Sequence, residues 1–137
     1  MGAVFLNKDD GDLAALRLAL AELKAGRCVG IFPEGHRYFD QKMGEFHEGA
    51  AYIAYRARVR VLPMAVVNAA NFLRPFQRNI RLVIGRPFPV PEGRADKEAL
   101  ARTTAEYREE IGRLFAMGAE NVRQAGLPMY VTDKVNK

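Results

Sequence analysis

Val29-Gly30-Ile31-Phe32 is a short continuous apolar run that stops abruptly at Pro33, and this constrains the fold more than any other feature of the chain. Such runs are the kind covered on both faces in a parallel sheet. Upstream, Gly2 to Leu6 reads as a further short strand, and the cluster Asp9-Asp10-Gly11-Asp12 suits a turn that caps a helix. Leu13, Leu16, Leu20 and Leu23 then fall on one helical face, with Gly26 placed to end the helix. Downstream come a short Ala-rich helix from Gly49 to Arg58, an apolar run from Val61 to Val67, and a strand from Ile80 to Ile84. Pro87, Pro89 and Pro91 forbid regular structure after it and predict a rigid connector. Leu100, Tyr107, Ile111, Leu114 and Phe115 mark an amphipathic helix packed on the sheet, with Arg108, Glu109 and Glu110 facing out. Alternating strands and helices make an α/β fold the expectation.

A chain of 137 residues with 49% hydrophobic content fits one compact domain, assigned to residues 1–126, followed by an unpatterned tail from Leu127 to Lys137. The net charge of +5 favours an acidic partner: a phosphorylated substrate, an anionic membrane surface, an acidic carrier protein or nucleic acid. Cys28 is the single cysteine, which excludes an internal disulfide framework and a cysteine-rich zinc site, so a reducing cytoplasm is expected. No apolar run reaches the roughly 18 residues needed to span a bilayer, so the chain reads as soluble or peripheral.

The polar chemistry concentrates between Pro33 and Glu48. Glu34-Gly35-His36-Arg37 brings a guanidinium beside a glycine at a strand end. The fork donates two hydrogen bonds, and the missing Cβ lets an anion approach the backbone, so the stretch is built to hold a phosphate. Other signatures fail. Gly44 and Gly49 have the spacing of a nucleotide-binding loop, but Ala50 and Ala51 stand where lysine and a hydroxyl residue are required. His36 and His47, with Asp40, Glu45 and Glu48 nearby, match no standard metal-ligand spacing and read as solvated loop histidines. No metal and no cofactor are expected. Arg74, Arg78 and Arg81, lying close to Phe72 and Phe76, suit a membrane interface or equally a solvated loop that packs two phenylalanines inward. Nucleic acid is not an expected partner, because no recognised motif accompanies the charge.

Phe32-Pro33-Glu34-Gly35-His36-Arg37 resembles the Phe-Pro-Glu-Gly-Thr-Arg block of the glycerolipid acyltransferases of the 1-acylglycerol-3-phosphate acyltransferase type. Gly2-Ala3-Val4-Phe5-Leu6-Asn7-Lys8 is similar to the family's preceding block, with Asn7 for the usual aspartate and Lys8 for the usual arginine. Gly44, Phe46, His47, Gly49 and Ala50 are similar to its following loop, with His47 in the lysine place. Val61-Leu62-Pro63-Met64 resembles its Val-Pro-Val strand, and Ile84-Gly85-Arg86-Pro87 its Gly-x-Pro closing strand. The resemblance covers roughly Gly2 to Pro89, in order. It implies that Glu34, Gly35 and Arg37 belong to the glycerol-phosphate site, with Lys8 reaching the same phosphate; His36, His47 and Pro63 are possible lining residues. The physical reading agrees, since two cations and an open backbone can hold a dianion, while Glu34 could orient Arg37 or accept a hydrogen bond. The implied fold is a layered, mostly parallel or mixed sheet flanked by helices.

The family's base and its orienting carboxylate come from a His-x-x-x-x-Asp block ahead of everything matched here, and this sequence contains no such spacing. Five places after His36 stands Gln41, and five after His47 stands Tyr52. The expectation is therefore an N-terminally truncated acyltransferase, inactive alone. Its complete enzyme would move a fatty acyl group from acyl-CoA or acyl carrier protein to 1-acylglycerol-3-phosphate, giving phosphatidic acid, at the inner face of a membrane. The alternative is a noncatalytic phospholipid-binding remnant.

Overall fold

A computed structural model describes residues 11–35, 43–69 and 80–126. The expected strand at Gly2–Leu6, the residues Lys8, His36 and Arg37, the Arg74 and Arg78 loop, and the tail from Leu127 lie outside them.

Helix α1 (Gly11–Lys24) ends as its glycine predicts. Gly26 takes φ +76°, its N–H bonds the Leu23 carbonyl at 3.0 Å, and the Arg27 N–H reaches back to Glu22 at 3.0 Å, the paired bonds of a Schellman stop. Arg27 also returns its guanidinium to Glu22, with Nη2 donating to Oε1 at 2.8 Å. The leucine stripe is less buried than its spacing implies: Leu13 is 69% exposed and Ala19 is the buried residue. The cause is the partner. α1 lies against α2 (Gly49–Ala57), whose nine residues run about 14 Å beside the roughly 21 Å of α1.

Val29–Phe32 is not a strand, which corrects the reading of that run. Ile31 is 41% and Phe32 83% exposed. A strand is stabilised through the ladder beside it, and among the described residues no strand pairs with this segment.

The described sheet has two strands, β1 (Met64–Val67) and β2 (Arg81–Ile84), which pair antiparallel with Met64 opposite Ile84 and Val67 opposite Arg81. Helices and strands are mixed as an α/β reading expects, and among the described residues the sheet is this antiparallel pair, packed on one long helix, α3 (Lys97–Gln124), with no parallel pairing among them. Alternation decides which side chains meet that helix. Ala65 and Val67 turn inward with Val83, and Val67 packs with Ala119, Val122 and Phe115. Contact is close because α3 offers Gly118, where an added Cβ would stand 2.7 Å from Val67 Cγ2 and 2.9 Å from Val83 Cγ2. Met64, Val66, Leu82 and Ile84 point the other way, into solvent.

The pairing runs on beyond the strands. The Gly85 N–H donates to the Pro63 carbonyl at 2.9 Å, and the Phe88 N–H to that of Val61 at 2.8 Å. The Phe88 ring then meets buried Tyr107 of α3 at 4.7 Å between centroids, tilted 49°. The proline-rich connector is fastened by Arg58, the left-handed residue closing α2 (φ 53°), whose guanidinium donates to the carbonyls of Pro91 at 2.8 Å and Gly93 at 3.2 Å. α3 itself starts at Asp96, whose carboxylate accepts the Ala99 N–H at 2.8 Å.

Candidate functional site

The Glu-Gly segment forms a tight turn. The Gly35 N–H donates to the Phe32 carbonyl at 3.2 Å, with Pro33 in the second position, where its fixed φ is favourable. Gly35 takes φ +66°, a left-handed conformation in which other side chains are strained. Its bare α-carbon also faces a neighbour: an added Cβ would lie 3.1 Å from both Cδ2 and Nε2 of His47. Backbone conformation therefore favours glycine here, and any side chain would in addition press on the His47 ring.

A second segment, residues 43–48, is bonded onto this turn. The His47 N–H donates to the Pro33 carbonyl at 2.8 Å, and the Gly44 N–H donates to Glu34 Oε2 at 2.7 Å. From the other side Arg108 of α3 approaches the Gly44 carbonyl through Nε at 3.4 Å. One residue, Gly44, thus links the turn to the long helix, its N–H on one side and its carbonyl on the other. Between the 43–48 segment and α3 lies an open cleft of about 440 Å³, whose walls include Phe46, Glu48, Thr104 and Arg108.

Of the sequence-predicted site residues, Glu34, Gly35 and His47 are brought together. Glu34 uses its carboxylate on a backbone N–H, and His47 is an exposed residue whose ring lies against Gly35. Pro63 is fully buried, 3.0 Å from a Cβ added at Gly85, in the packing of the strands on α3. Lys8, His36 and Arg37 fall outside the described residues. Sequence reading did not foresee Arg108 in this setting. It stands 64 residues from Gly44 on a charged helix face, and nothing in local spacing distinguishes it from its neighbours. Among the described residues no group of three or more His, Cys, Asp or Glu is placed to hold a metal ion, and no helix is long and apolar enough to cross a membrane.

Residues 1–67 match the acyltransferase family. Among curated proteins, the chain is 32% identical over 56 residues to a probable 1-acyl-sn-glycerol-3-phosphate acyltransferase of Mycoplasma pneumoniae, a match covering 41% of this chain and 21% of that protein. It is 30% identical over 95 residues to the chloroplastic 1-acyl-sn-glycerol-3-phosphate acyltransferase of Arabidopsis thaliana, covering 64% and 27%. With the 1-acyl-sn-glycerol-3-phosphate acyltransferase of Borreliella burgdorferi it shares 33% over 82 residues, covering 58% and 32%. The matches span about a fifth to a third of the length of these relatives. No solved structure matches the chain.

Proposed function

Because residues 1–67 belong to the acyltransferase family, in its 1-acylglycerol-3-phosphate acyltransferase type, we propose that this chain supplies the acceptor-phosphate grip of an enzyme that acylates 1-acylglycerol-3-phosphate to phosphatidic acid. The observation that carries the reading is the Phe32–Gly35 turn. It exposes a glycine backbone in the left-handed region immediately ahead of His36-Arg37 in the sequence. A glycine opening and a guanidinium fork suit a phosphate dianion, and Lys8 adds a second cation by family resemblance. In the reaction, the acceptor hydroxyl attacks the thioester carbonyl of acyl-CoA or acyl carrier protein. The carbon–sulfur bond breaks, and a base takes the hydroxyl proton while the leaving thiolate gains one. The chain holds no histidine with an aspartate five places on, so it contributes binding rather than the base and is inactive alone. The acceptor is a lipid, which puts the work at a membrane surface, on its cytoplasmic side.

Titration with 1-acylglycerol-3-phosphate in mixed micelles, against the uncharged monoacylglycerol, tests this. The phosphorylated lipid should bind, the neutral one should bind at least about tenfold more weakly, and Arg37→Ala should remove the difference. Equal binding of both lipids, or an unaffected Arg37→Ala variant, would overturn the phosphate assignment. Steady acyl transfer by the 137-residue chain would overturn its inactivity. The reading as a noncatalytic phospholipid-binding protein shares the same grip and rests on the absent His-x-x-x-x-Asp spacing; it predicts binding with no acyl transfer even in the native full-length protein.

A further inference from the structure

We infer that Glu34 is a positioning residue: its carboxylate acts through the Gly44 N–H to fasten the 43–48 segment onto the Phe32–Gly35 turn, which keeps His47 against Gly35. The inference rests on reading that turn as the acceptor-phosphate site, and it gives Glu34 a role apart from the ligand. Chemistry favours such a role, because a carboxylate accepts hydrogen bonds and repels a phosphate dianion, so it does not itself grip the phosphate. The geometry supplies the alternative partner. Oε2 lies 2.7 Å from the Gly44 nitrogen, a short hydrogen bond of a length that a neutral oxygen acceptor also makes. Among the described residues no cation forms an ion pair with Glu34.

Two bonds hold the same two segments: Gly44 to Glu34, and His47 to the Pro33 carbonyl. The second is backbone to backbone and survives any side-chain substitution, so the first is the one that sequence can tune. Losing it releases the Gly44 end of the segment from the turn, leaving the long Arg108 contact on its carbonyl, while the His47 end stays tied. The His47 ring then has a wider range of positions over Gly35, and the exposed glycine backbone is no longer held in one shape. What the fastening requires of residue 34 is a side-chain oxygen at the right reach, which glutamine also provides; the negative charge is not required.

Glu34→Gln and Glu34→Ala, made in the full chain, separate the roles, with glycerol 3-phosphate as the probe and amide hydrogen exchange at Gly44 as a readout independent of binding. Glu34→Ala is expected to speed Gly44 exchange at least about tenfold and to weaken glycerol 3-phosphate binding about tenfold. Glu34→Gln should keep both within about threefold of the parent. A Gln variant as damaged as the Ala variant would show that the charge itself is used, and would overturn the inference. So would an Ala variant with unchanged Gly44 exchange. If Glu34→Ala does not fold, the Gln variant against the parent decides alone, since only a charge-dependent role predicts its loss. Failure of the parent chain to bind glycerol 3-phosphate would sink the phosphate reading, while Gly44 exchange in the three proteins would still test the fastening.

Discussion

Tyr107 shows how burial of one side chain turns into a pH dependence. It is 5% exposed, its ring lies on Phe88, and loss of water around its hydroxyl, with Tyr55 and Glu106 nearby, pushes its pKa up to about 12. The native fold therefore favours the neutral phenol more than the unfolded chain does. The contribution is complete below the unfolded value near 10 and is lost as pH rises from there towards 12. Allowing for partial solvent screening, the loss is on the order of 1–2 kcal/mol. Urea unfolding at pH 9 and 11.5 should show the parent losing more stability than Tyr107→Phe, and equal losses would refute the assignment. The exposed pairs Glu22 with Arg27 and Glu110 with Arg113 act in the opposite sense. Each carboxyl is held below its ordinary value chiefly by the arginine's hydrogen bond, so their small effect is present at neutral pH and fades in acid. At this scale much was legible from sequence. Gly26 ends its helix as read, because backbone permissiveness is local, whereas Gly35 was read as an opening for an anion at a strand end and the structure puts it in a left-handed turn. The linking role of Gly44 and its contact with Arg108 were not legible, since their meeting depends on how α3 packs and not on any spacing along the chain.

At the scale of elements, the helices formed where their residues suggest, with α1 beginning inside the cluster read as a turn and α3 running on to Gln124, whereas the strands depended on partners. α2 was read as Gly49 to Arg58 and runs Gly49–Ala57, and α3 contains every apolar position that marked it. Helical hydrogen bonds are internal to the segment, so periodicity and caps carry most of the information. Val29–Phe32 had equally suggestive residues and formed no strand, because its hydrogen bonds need a neighbour that the local sequence does not specify. The start of α3 gives a measurable case of local control. Asp96 sits in extended geometry (φ −81°, ψ 170°) and accepts the Ala99 N–H, while Glu98 lies in the positive first turn. Asp96→Ala should cost about 1 kcal/mol in denaturant unfolding, and Asp96→Asn, which retains the acceptor, only a few tenths. Equal costs would mean that charge at the helix N-terminus outweighs the capping bond. The connector behaves similarly: its prolines exclude regular structure, but it is Arg58, reaching the carbonyls of Pro91 and Gly93, that ties its course to α2.

At the scale of the molecule, the decisive arrangement among the described residues is a two-stranded sheet with α3 on one face and an exposed apolar surface on the other. Such a pair is marginal without a helix to pack on; Val67 and Val83 meeting α3 at Gly118, and Leu114 of α3 meeting the chain just after β2 at Gly85, provide that packing. The Val61–Val67 run reads from sequence as apolar throughout, which suggests cover on both sides; the structure buries Ala65 and Val67 and leaves Leu62, Met64 and Val66 at 41–46% exposure. Leu82 and Ile84 of β2, each 57% exposed, lie on the same open face, since Met64 pairs with Ile84 and Val66 with Leu82. Five apolar side chains gathered on one surface promote association in water even when the fold beneath them is sound. The chain should therefore form concentration-dependent oligomers in sedimentation velocity. Leu82→Thr combined with Ile84→Thr should raise the monomer fraction while retaining strand propensity. Because both side chains point away from α3, thermal stability should change by less than about 1 kcal/mol, as expected for surface positions. A monomeric parent at all concentrations would show that the open face does not drive association. A double variant that loses about 2 kcal/mol or more would instead mean that Leu82 and Ile84 contribute packing beyond what their exposure implies.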